Sequence, residues 1–515
     1  MSKNNFFLIA GVSFVVGLFL AHYLFFIQNL PSLFYFSFLL IFLFFLIKFN
    51  SKIYLILFFI FLAIWRYSFL LGDDLSGKIE NYYDYEFKIF GGVINDPEIK
   101  NDKQKIKLKI ICGQDNLANF FKLEGNILLS SFLYPTYSYG DYLEVEGQYL
   151  EPGLIDDFNY SLYLKRYKIT AVAYYPKIKK IDLLELQNFS NDSLPSICFS
   201  NNFFTKLRIY FLNYIYDFKS KTAEKFNLFL SVDSSAILKG MILGDKSDLT
   251  TENREIFSRA GLSHIIAISG LHISLLCSLL LSLLLFIGLS RKSSFYLSVL
   301  FLFLYLILIG FPASAIRASI MGFFSFLAIY MGRVGNLVNA LFLTLLILLL
   351  VNPYLVFVDI GFQLSFLAVL GIIYFHPLVK DAILSKINMK IKIRESIIDI
   401  ISLTISVQLI TAPILISNFE QFSLIAPISN LLVLFLLPII ISLSIIALII
   451  SFLIPFLAQF VYFFIELFLR YIYLVAVWSI KIPGASINIA NWSLFLSIIY
   501  YFLLFYFFYK YRKRK

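Results

Sequence analysis

Uninterrupted apolar runs of about twenty residues recur along this chain and limit its possible folds more than any other feature. A run of this length spans a bilayer as a helix, in which every backbone polar group is satisfied internally. The composition agrees, because 60% of the residues are hydrophobic and only 15% are charged, against about a quarter in soluble domains. The chain is therefore predicted to be a polytopic α-helical membrane protein with about twelve spans.

Residues 73–200 differ from the rest, because charges, prolines and glycines appear there and apolar residues alternate instead of forming runs. Four lysines alternate with apolar residues, which is the period of a strand with a basic outer face: Lys103, Lys105, Lys107 and Lys109. Further strands are predicted at 87–93, 125–132, 142–149 and 170–175. Together they predict a small β-barrel domain, for which an OB-like architecture is a reasonable expectation.

Six tyrosines of this region allow two interpretations. Aromatic rings beside a basic groove are typical of domains that bind nucleic acid single strands. Alternatively, the rings fill a small barrel, and the excess of acidic over basic residues in this region favours that interpretation. The residues are Tyr82, Tyr83, Tyr85, Tyr134, Tyr137 and Tyr139.

Residues 201–260 are predicted to form amphipathic helices at the membrane interface, an interfacial helix pair over 203–230 and then a polar piece. Asp245 follows a glycine in a turn within this region. His264, Ser269, Gly270 and His272 then lie at the mouth of an apolar run. Polar groups in hydrocarbon must find partners or line water, so we expect these residues to be functional.

Later spans also contain polar side chains. Arg317 lies in an apolar helix rich in small residues, so it is expected to face water, a partner or an anion. Alternatively, both features are structural. The small residues would then serve close helix packing, and Arg317 would form an ion pair with Asp359. The other polar candidates in these spans are Asn352, Gln363, Ser365, Gln408, Thr411 and Asn430.

Several of these stretches together resemble the ComEC competence-protein family of bacterial DNA-uptake channels. They are LGD, AGLSHIIAISGLHI, FPASAIRASIM, NPYLVFVDIGFQLSFLAVLGI, VQLITAPIL and FSLIAPISNLL, and they occur in that order. The resemblance implies an OB-like domain outside the cytoplasmic membrane and a channel for single-stranded DNA, not an enzyme. It also implies a surface or periplasmic DNA receptor as partner. No cofactor is expected, and no metal site is expected because the sequence has no CxxC pair and only four histidines.

The resemblance also assigns roles to the polar residues. Residues that would line, gate or brace the DNA path are Asp245, His264, Ser269, Gly270, His272, Arg317, Asn352, Asp359, Gln363, Ser365, Gln408, Thr411 and Asn430. Lys103, Lys105, Lys107 and Lys109 would contact DNA in the outer domain. The sequence contains no GxxxxGK[ST] motif, so a cytoplasmic ATPase is expected to pull the DNA.

Many relatives carry a metallo-β-lactamase-like domain after the channel, and that domain needs an HxHxDH cluster. None of the four histidines of this chain forms such a cluster, so either a separate nuclease or no nuclease is expected. Cys112 and Cys198 would be able to form a disulfide if residues 73–200 face an oxidising compartment, and two free thiols are the alternative.

Basic residues predict the orientation, because lysine and arginine are retained on the cytoplasmic side. On this basis both termini are cytoplasmic and residues 73–200 are extracytoplasmic. The resemblance implies that the membrane is a bacterial inner membrane. The predicted organisation is three spans in 1–72, the outer domain in 73–200, interfacial helices in 201–260 and the channel in 261–515.

Two other functions are compatible with these observations. Ser269 and His272 are three residues apart, close enough on a helix for an intramembrane hydrolase in which His264 or His272 is the base. A small-molecule transporter would have the same number of spans.

Overall fold

A computed structural model describes most of the chain. The described residues are 6–24, 32–49, 51–71, 79–95, 97–100, 103–115, 119–155, 158–165, 167–181, 203–332, 335–385 and 392–513.

The protein is a multi-pass helical membrane protein. Within the described ranges, eight helices are long and apolar enough to cross a membrane. They are Phe6–Tyr23, Lys52–Phe69, Arg291–Ile309, Ala313–Tyr330, Ile360–Leu384, Glu395–Phe419, Ala426–Leu453 and Pro455–Lys481. Shorter apolar helices are Tyr35–Leu46, Gly270–Phe286, Leu337–Val351 and Leu494–Lys510.

The helices before the predicted channel are α1 (Phe6–Tyr23), α2 (Ser32–Phe49), α3 (Lys52–Leu71), α4 (Tyr160–Lys165), α5 (Phe203–Phe229), α6 (Val232–Ile242) and α7 (Thr251–Arg259). Those that follow are α8 (Gly270–Phe286), α9 (Arg291–Ile309), α10 (Ala313–Tyr330), α11 (Leu337–Val351), α12 (Leu355–Val358), α13 (Ile360–Leu370), α14 (His376–Leu384), α15 (Lys392–Phe419), α16 (Ala426–Val433), α17 (Leu437–Leu453), α18 (Pro455–Lys481) and α19 (Leu494–Lys513).

Two predicted helical boundaries are wrong. The predicted helix pair over 203–230 is a single uninterrupted helix, α5, because no glycine or proline interrupts its sequence. The apolar run at 362–375 predicts a span that ends at Phe375, but the helix continues through a π-helical turn, Gly371–Phe375, into α14. Gly371 lets this turn lie close against α15, since a Cβ there would lie 3.0 Å from the carbonyl oxygen of Ser406.

The described residues of the polar region form a sheet of eight strands. The strands are β1 (Glu86–Val93), β2 (Glu98–Lys100), β3 (Lys103–Gln114), β4 (Phe120–Phe121), β5 (Asn126–Phe132), β6 (Tyr142–Gln148), β9 (Ile169–Tyr174) and β10 (Lys177–Ile181). Two short strands, β7 (Leu154–Ile155) and β8 (Phe158–Asn159), pair separately, as do β11 (Gln421–Ser423) and β12 (Ser486–Asn488) in the helical part.

The order in the large sheet is β10-β6-β1-β3-β5-β9, with β2 and β4 paired to β3. All the pairs are antiparallel except β5 with β9. Backbone hydrogen bonds of 2.9 and 3.0 Å between Leu150 and Val172 join the end of β6 to β9. The sheet therefore curls back on itself, and its core contains Ile89, Ile106 and Tyr149.

Most of the six tyrosines named above are placed as the barrel-filling interpretation predicts. Tyr137 and Tyr139 are buried, and the hydroxyl of Tyr83 donates to the carbonyl of Thr170 at 2.7 Å. Tyr85 and Tyr134 are exposed. An aromatic residue on this sheet is therefore no evidence by itself for a binding surface.

The structure describes only one of the two cysteines of the predicted disulfide. Cys112 is fully buried and is held in a disulfide, whereas Cys198 lies outside the described residues, so their pairing stays a prediction. Cys277 is a buried free thiol.

The chain folds into two compact units. One comprises Met1–Gly11, Thr222–Leu348 and Asp359–Lys515, and the other comprises Val12–Lys221 and Leu349–Val358. The first contains all the predicted path residues except Asn352, and the second contains the β-sheet of the polar region.

Candidate functional site

The segment from α6 to α8 is held together by short-range contacts. Lys239 is buried and donates to a carboxylate oxygen of Asp248. Gly240 packs so closely on the following loop that a Cβ there would lie 2.6 Å from the carbonyl oxygen of Ile266. Asp245 accepts from the backbone N–H and the hydroxyl of Ser247, at 2.9 and 2.7 Å. Asp245 therefore shapes a turn.

The same segment is fixed to the later helices. Gly261 has a φ of +74°, and a Cβ on it would lie 2.4 Å from the Cβ of Ala426 in α16. The hydroxyl of Ser429 donates to the carbonyl of Ala260 at 2.6 Å. The hydroxyl of Ser258 lies 2.9 Å from the side-chain oxygen of Gln421 in β11. These contacts place the start of α8 at a defined position.

Ser269 and His272 form the cap at the beginning of α8. The backbone N–H of Ser269 donates to His272 Nδ1 at 3.1 Å, and the Ser269 hydroxyl lies 3.0 Å from the same nitrogen. Because Nδ1 accepts this bond, a neutral ring carries its proton on Nε2. His272 is 1% exposed, and Nε2 has no hydrogen-bond partner in the described structure. His264 lies half-buried in the preceding turn.

Arg317 lies beside this cap, buried in α10 with 6% of its surface exposed. Its Nη1 donates to the carbonyl of Ser365 in α13, and its Cζ lies 5.9 Å from the centroid of the Phe366 ring. A Cβ on Gly270 would lie 2.7 Å from Nη2. The absence of a side chain at Gly270 therefore leaves room for the guanidinium at the first residue of α8.

Asp359 does not pair with Arg317. Its carboxylate accepts from the backbone N–H of Phe362 at 2.9 Å and so caps α13. Residues 256–358 contain no aspartate or glutamate. Within the described part of the chain, Arg317 forms no ion pair, and its Nε has no hydrogen-bond partner.

The arrangement suits an anion. The first turn of a helix carries partial positive charge and unpaired N–H groups, and α8 begins at Gly270, beside the Arg317 guanidinium. A buried cation that lacks a carboxylate partner is costly unless it serves a ligand or a wet path. The hydroxyl of Ser314 donates to the carbonyl of Ile268 at 3.0 Å and keeps α10 against this loop.

The structure brings together five of the predicted path residues, which are Ser269, Gly270, His272, Arg317 and Ser365. Ser365 contributes through its backbone carbonyl, which sequence reasoning did not foresee. Other predicted residues make separate contacts. Gln408 donates to the carbonyl of Ser423 at 2.8 Å, and Thr411 donates within its own helix to Val407 at 2.8 Å.

Asn430 and Asn352 have other described hydrogen bonds. The side-chain nitrogen of Asn430 lies 3.5 Å from the Thr404 hydroxyl, and its side-chain oxygen has no partner in the described structure. Asn352, in the other unit, accepts from the backbone N–H of Tyr354 at 3.1 Å. The backbone N–H of Gln363 donates to the carbonyl of Asp359 at 3.0 Å, which is ordinary helix formation.

The predicted lysine row lies on β3 and has the expected alternation. Lys103, Lys105 and Lys109 are exposed, whereas the residues between them are buried. Lys107 pairs with Glu98 at 3.0 Å. None of the other three forms an ion pair with a described residue, and Lys103 Nζ lies 5.3 Å from the centroid of the Tyr175 ring.

Sequence reasoning missed Lys239, Ser429 and Gln421, although each holds the segment in place. No period or motif marks them, because their partners are brought near only by tertiary packing.

A family model described as Competence protein matches residues 241–514, more than half of the chain. ComE operon protein 3 from Bacillus subtilis (strain 168) is 33% identical over 213 residues, which are 40% of this chain and 25% of that relative. The match thus spans about a quarter of the relative's length. No solved structure matches the chain significantly.

Proposed function

This chain belongs to the competence protein family, and from that premise we propose that it forms a membrane channel that passes single-stranded DNA into the cytoplasm during natural transformation. The observation that carries the proposal is Arg317, a buried cation that has no carboxylate partner among the described residues and lies at the beginning of α8.

A polyanion crosses hydrocarbon only along a shielded path lined by cations and polar groups. Arg317 and the first turn of α8 would attract each backbone phosphate as it passes. Ser269, Gly270 and His272 would shape this point of the path, and Asp245 and His264 would position the segment. Asp359, Gln363, Gln408, Thr411, Asn430 and Asn352 would brace the surrounding helices.

The topology belongs to the same proposal. About twelve spans would be reached if the shorter apolar helices also cross the membrane. Both termini would then lie in the cytoplasm, and the β-sheet domain would face outward from the inner membrane. The curled sheet, with its single parallel pair, supports an OB-like barrel.

In that outer domain Lys103, Lys105 and Lys109 would contact DNA phosphates, since they are exposed and form no described ion pair. Lys107 contributes less because Glu98 neutralises it. A surface receptor would deliver the DNA, a cytoplasmic ATPase would pull it, and a separate nuclease would remove the other strand.

The proposal is tested by deleting the gene and following fluorescently labelled DNA. We expect DNA to bind the deletion strain at the surface but not to reach the cytosol, and we expect the wild-type gene to restore cytosolic uptake. Undiminished cytosolic uptake in the deletion strain would contradict the channel function.

Gly270→Ala tests the position of Arg317 without removing the charge. The added methyl group would displace Nη2, so we expect DNA uptake to fall markedly. Stability should change little, since the atom that must move is the end of a flexible side chain. The measurements are DNA uptake and thermal unfolding of the purified protein.

Gly322→Ala is the matched control for this change. It also adds a methyl group to a helical glycine, but its Cβ would meet only ordinary contacts, the nearest at 3.7 Å from Leu302. Equal uptake by the two variants would show that the room at Gly270 is irrelevant to transport.

A hydrolase is the second candidate, because the Ser269 hydroxyl lies 3.0 Å from His272 Nδ1. A nucleophile and base within this distance are a feature of acyl transfer. However, Nδ1 already accepts the backbone N–H of Ser269, and no orienting group binds Nε2 among the described residues. We expect Ser269→Ala to lower DNA uptake, whereas loss of ester or peptide hydrolysis with undiminished uptake would favour the hydrolase.

A further inference from the structure

A cavity of about 320 Å³ opens between the end of α8, the beginning of α9 and the end of α10. This volume is at the lower end of the range for ligand pockets. Its lining is apolar and aromatic apart from one charge, and the residues that matter here are Leu281, Leu285, Phe295, Phe326, Tyr330 and Arg291.

The aromatic wall is built from packed rings. Phe295 lies between Tyr330 and Phe323, with ring centroids 5.1 and 6.1 Å away. Phe326 is buried at the base of the same face of α10. These contacts keep the wall in place, so the cavity is a formed feature of three helices.

The surface around the cavity is apolar and exposed. Phe286 is 89% exposed and Ile287 66% exposed at the end of α8, and Tyr296 is 64% exposed on α9. In a multi-pass membrane protein, such faces are covered by lipid chains. These exposed residues are neighbours in sequence of Leu285, Arg291 and Phe295, which line the cavity.

The mouth of the cavity is cationic. Arg291 lies there beside Lys292, and both side chains are exposed. Residues 256–358 contain no acidic residue to neutralise them. Neither side chain forms an ion pair with a described residue, so the mouth attracts a phosphate group.

We propose that this cavity binds an anionic phospholipid, with one acyl chain between Leu285, Phe295 and Phe326 and the phosphate on Arg291. An apolar cavity with a cation at its mouth matches the two parts of that molecule, and basic pockets between membrane helices hold anionic headgroups in this way. The site is separate from Arg317 and does not depend on the proposed DNA channel.

The test uses the full-length protein purified in detergent and titrated with phosphatidylglycerol or phosphatidylcholine of identical chains, with bound lipid counted by native mass spectrometry. We expect phosphatidylglycerol to bind at least fivefold more tightly, roughly the effect of one basic residue. Arg291→Gln should remove that preference, and Arg291→Lys should keep most of it.

Lys292→Gln is the matched control, because it removes the same charge from the next residue, which does not line the cavity. Leu285→Trp should weaken binding of both lipids by filling the cavity from an exposed position. Equal binding of the two lipids, or equal losses in Arg291→Gln and Lys292→Gln, would overturn the proposal.

Discussion

Arg317→Gln is expected to reduce cytosolic uptake of labelled DNA by about 100-fold while surface binding continues. A charge at membrane depth costs about 2.5–3.5 kcal/mol when nothing stabilises it, and that difference in a barrier corresponds to about two orders of magnitude in rate. Without Arg317, each phosphate would meet this barrier beside α8.

The stability of the same variant should change little or increase. Arg317 donates to a backbone carbonyl and forms no described ion pair, so its removal leaves no buried carboxylate unpaired. Thermal unfolding of the purified variant and its amount in the membrane therefore serve as controls.

Arg317→Lys tests whether DNA uptake depends on the charge of this side chain or on the shape of the guanidinium. Lysine keeps the charge but loses the planar fork that reaches both the Ser365 carbonyl and Gly270. We expect partial uptake, between those of wild type and Arg317→Gln. Normal uptake by Arg317→Gln would remove Arg317 from the DNA path, although the family membership would stand.

Gly261→Ala is expected to give the largest loss of stability. A left-handed backbone costs a residue with a Cβ about 1–2 kcal/mol, and φ at Gly261 is +74°. The Cβ would also lie 2.4 Å from that of Ala426, and overpacking of this kind costs about 1–3 kcal/mol more. We expect a strongly lowered unfolding temperature and little protein in the membrane.

Gly310→Ala isolates the first term of this prediction, the cost of the left-handed backbone. Gly310 has nearly the same φ, +79°, but a Cβ there would have no neighbour within 4 Å. Its loss of stability should therefore be that of the backbone alone. If Gly261→Ala were no less stable than Gly310→Ala, close packing of the loop on α16 would not contribute to folding.

Much of the helical and strand structure was predictable because its cause is local. The alternation of lysines with apolar residues along β3 and the long apolar runs both follow from the period of the sequence. The continuous helix α5 was predicted as two, since propensity says little about where an amphipathic helix breaks. The end of the span through Gly371 was predicted too early, at Phe375, because a π-helical turn has no sequence signature.

The site was predictable only in part. A single arginine in an apolar helix is conspicuous in sequence, and so is a serine-glycine pair before a span. The packing of α8 against α10 decides whether Gly270 leaves room for Arg317, and the sequence does not give that packing. The contribution of Ser365 is a backbone carbonyl, which a pattern of side chains cannot predict. The ion pair with Asp359 was a reasonable alternative from composition, but Asp359 caps α13.

Arg317, which forms no ion pair with a described residue, would also affect the leakage of small ions across the membrane when no DNA is present. A fixed positive charge in a narrow passage repels small cations, as it does in pores that exclude protons. A cation neutralised by a neighbouring carboxylate would give no such barrier. On the proposed path, the side chain that attracts phosphate would also limit leakage of protons and sodium, so the cell would keep its membrane potential between uptake events.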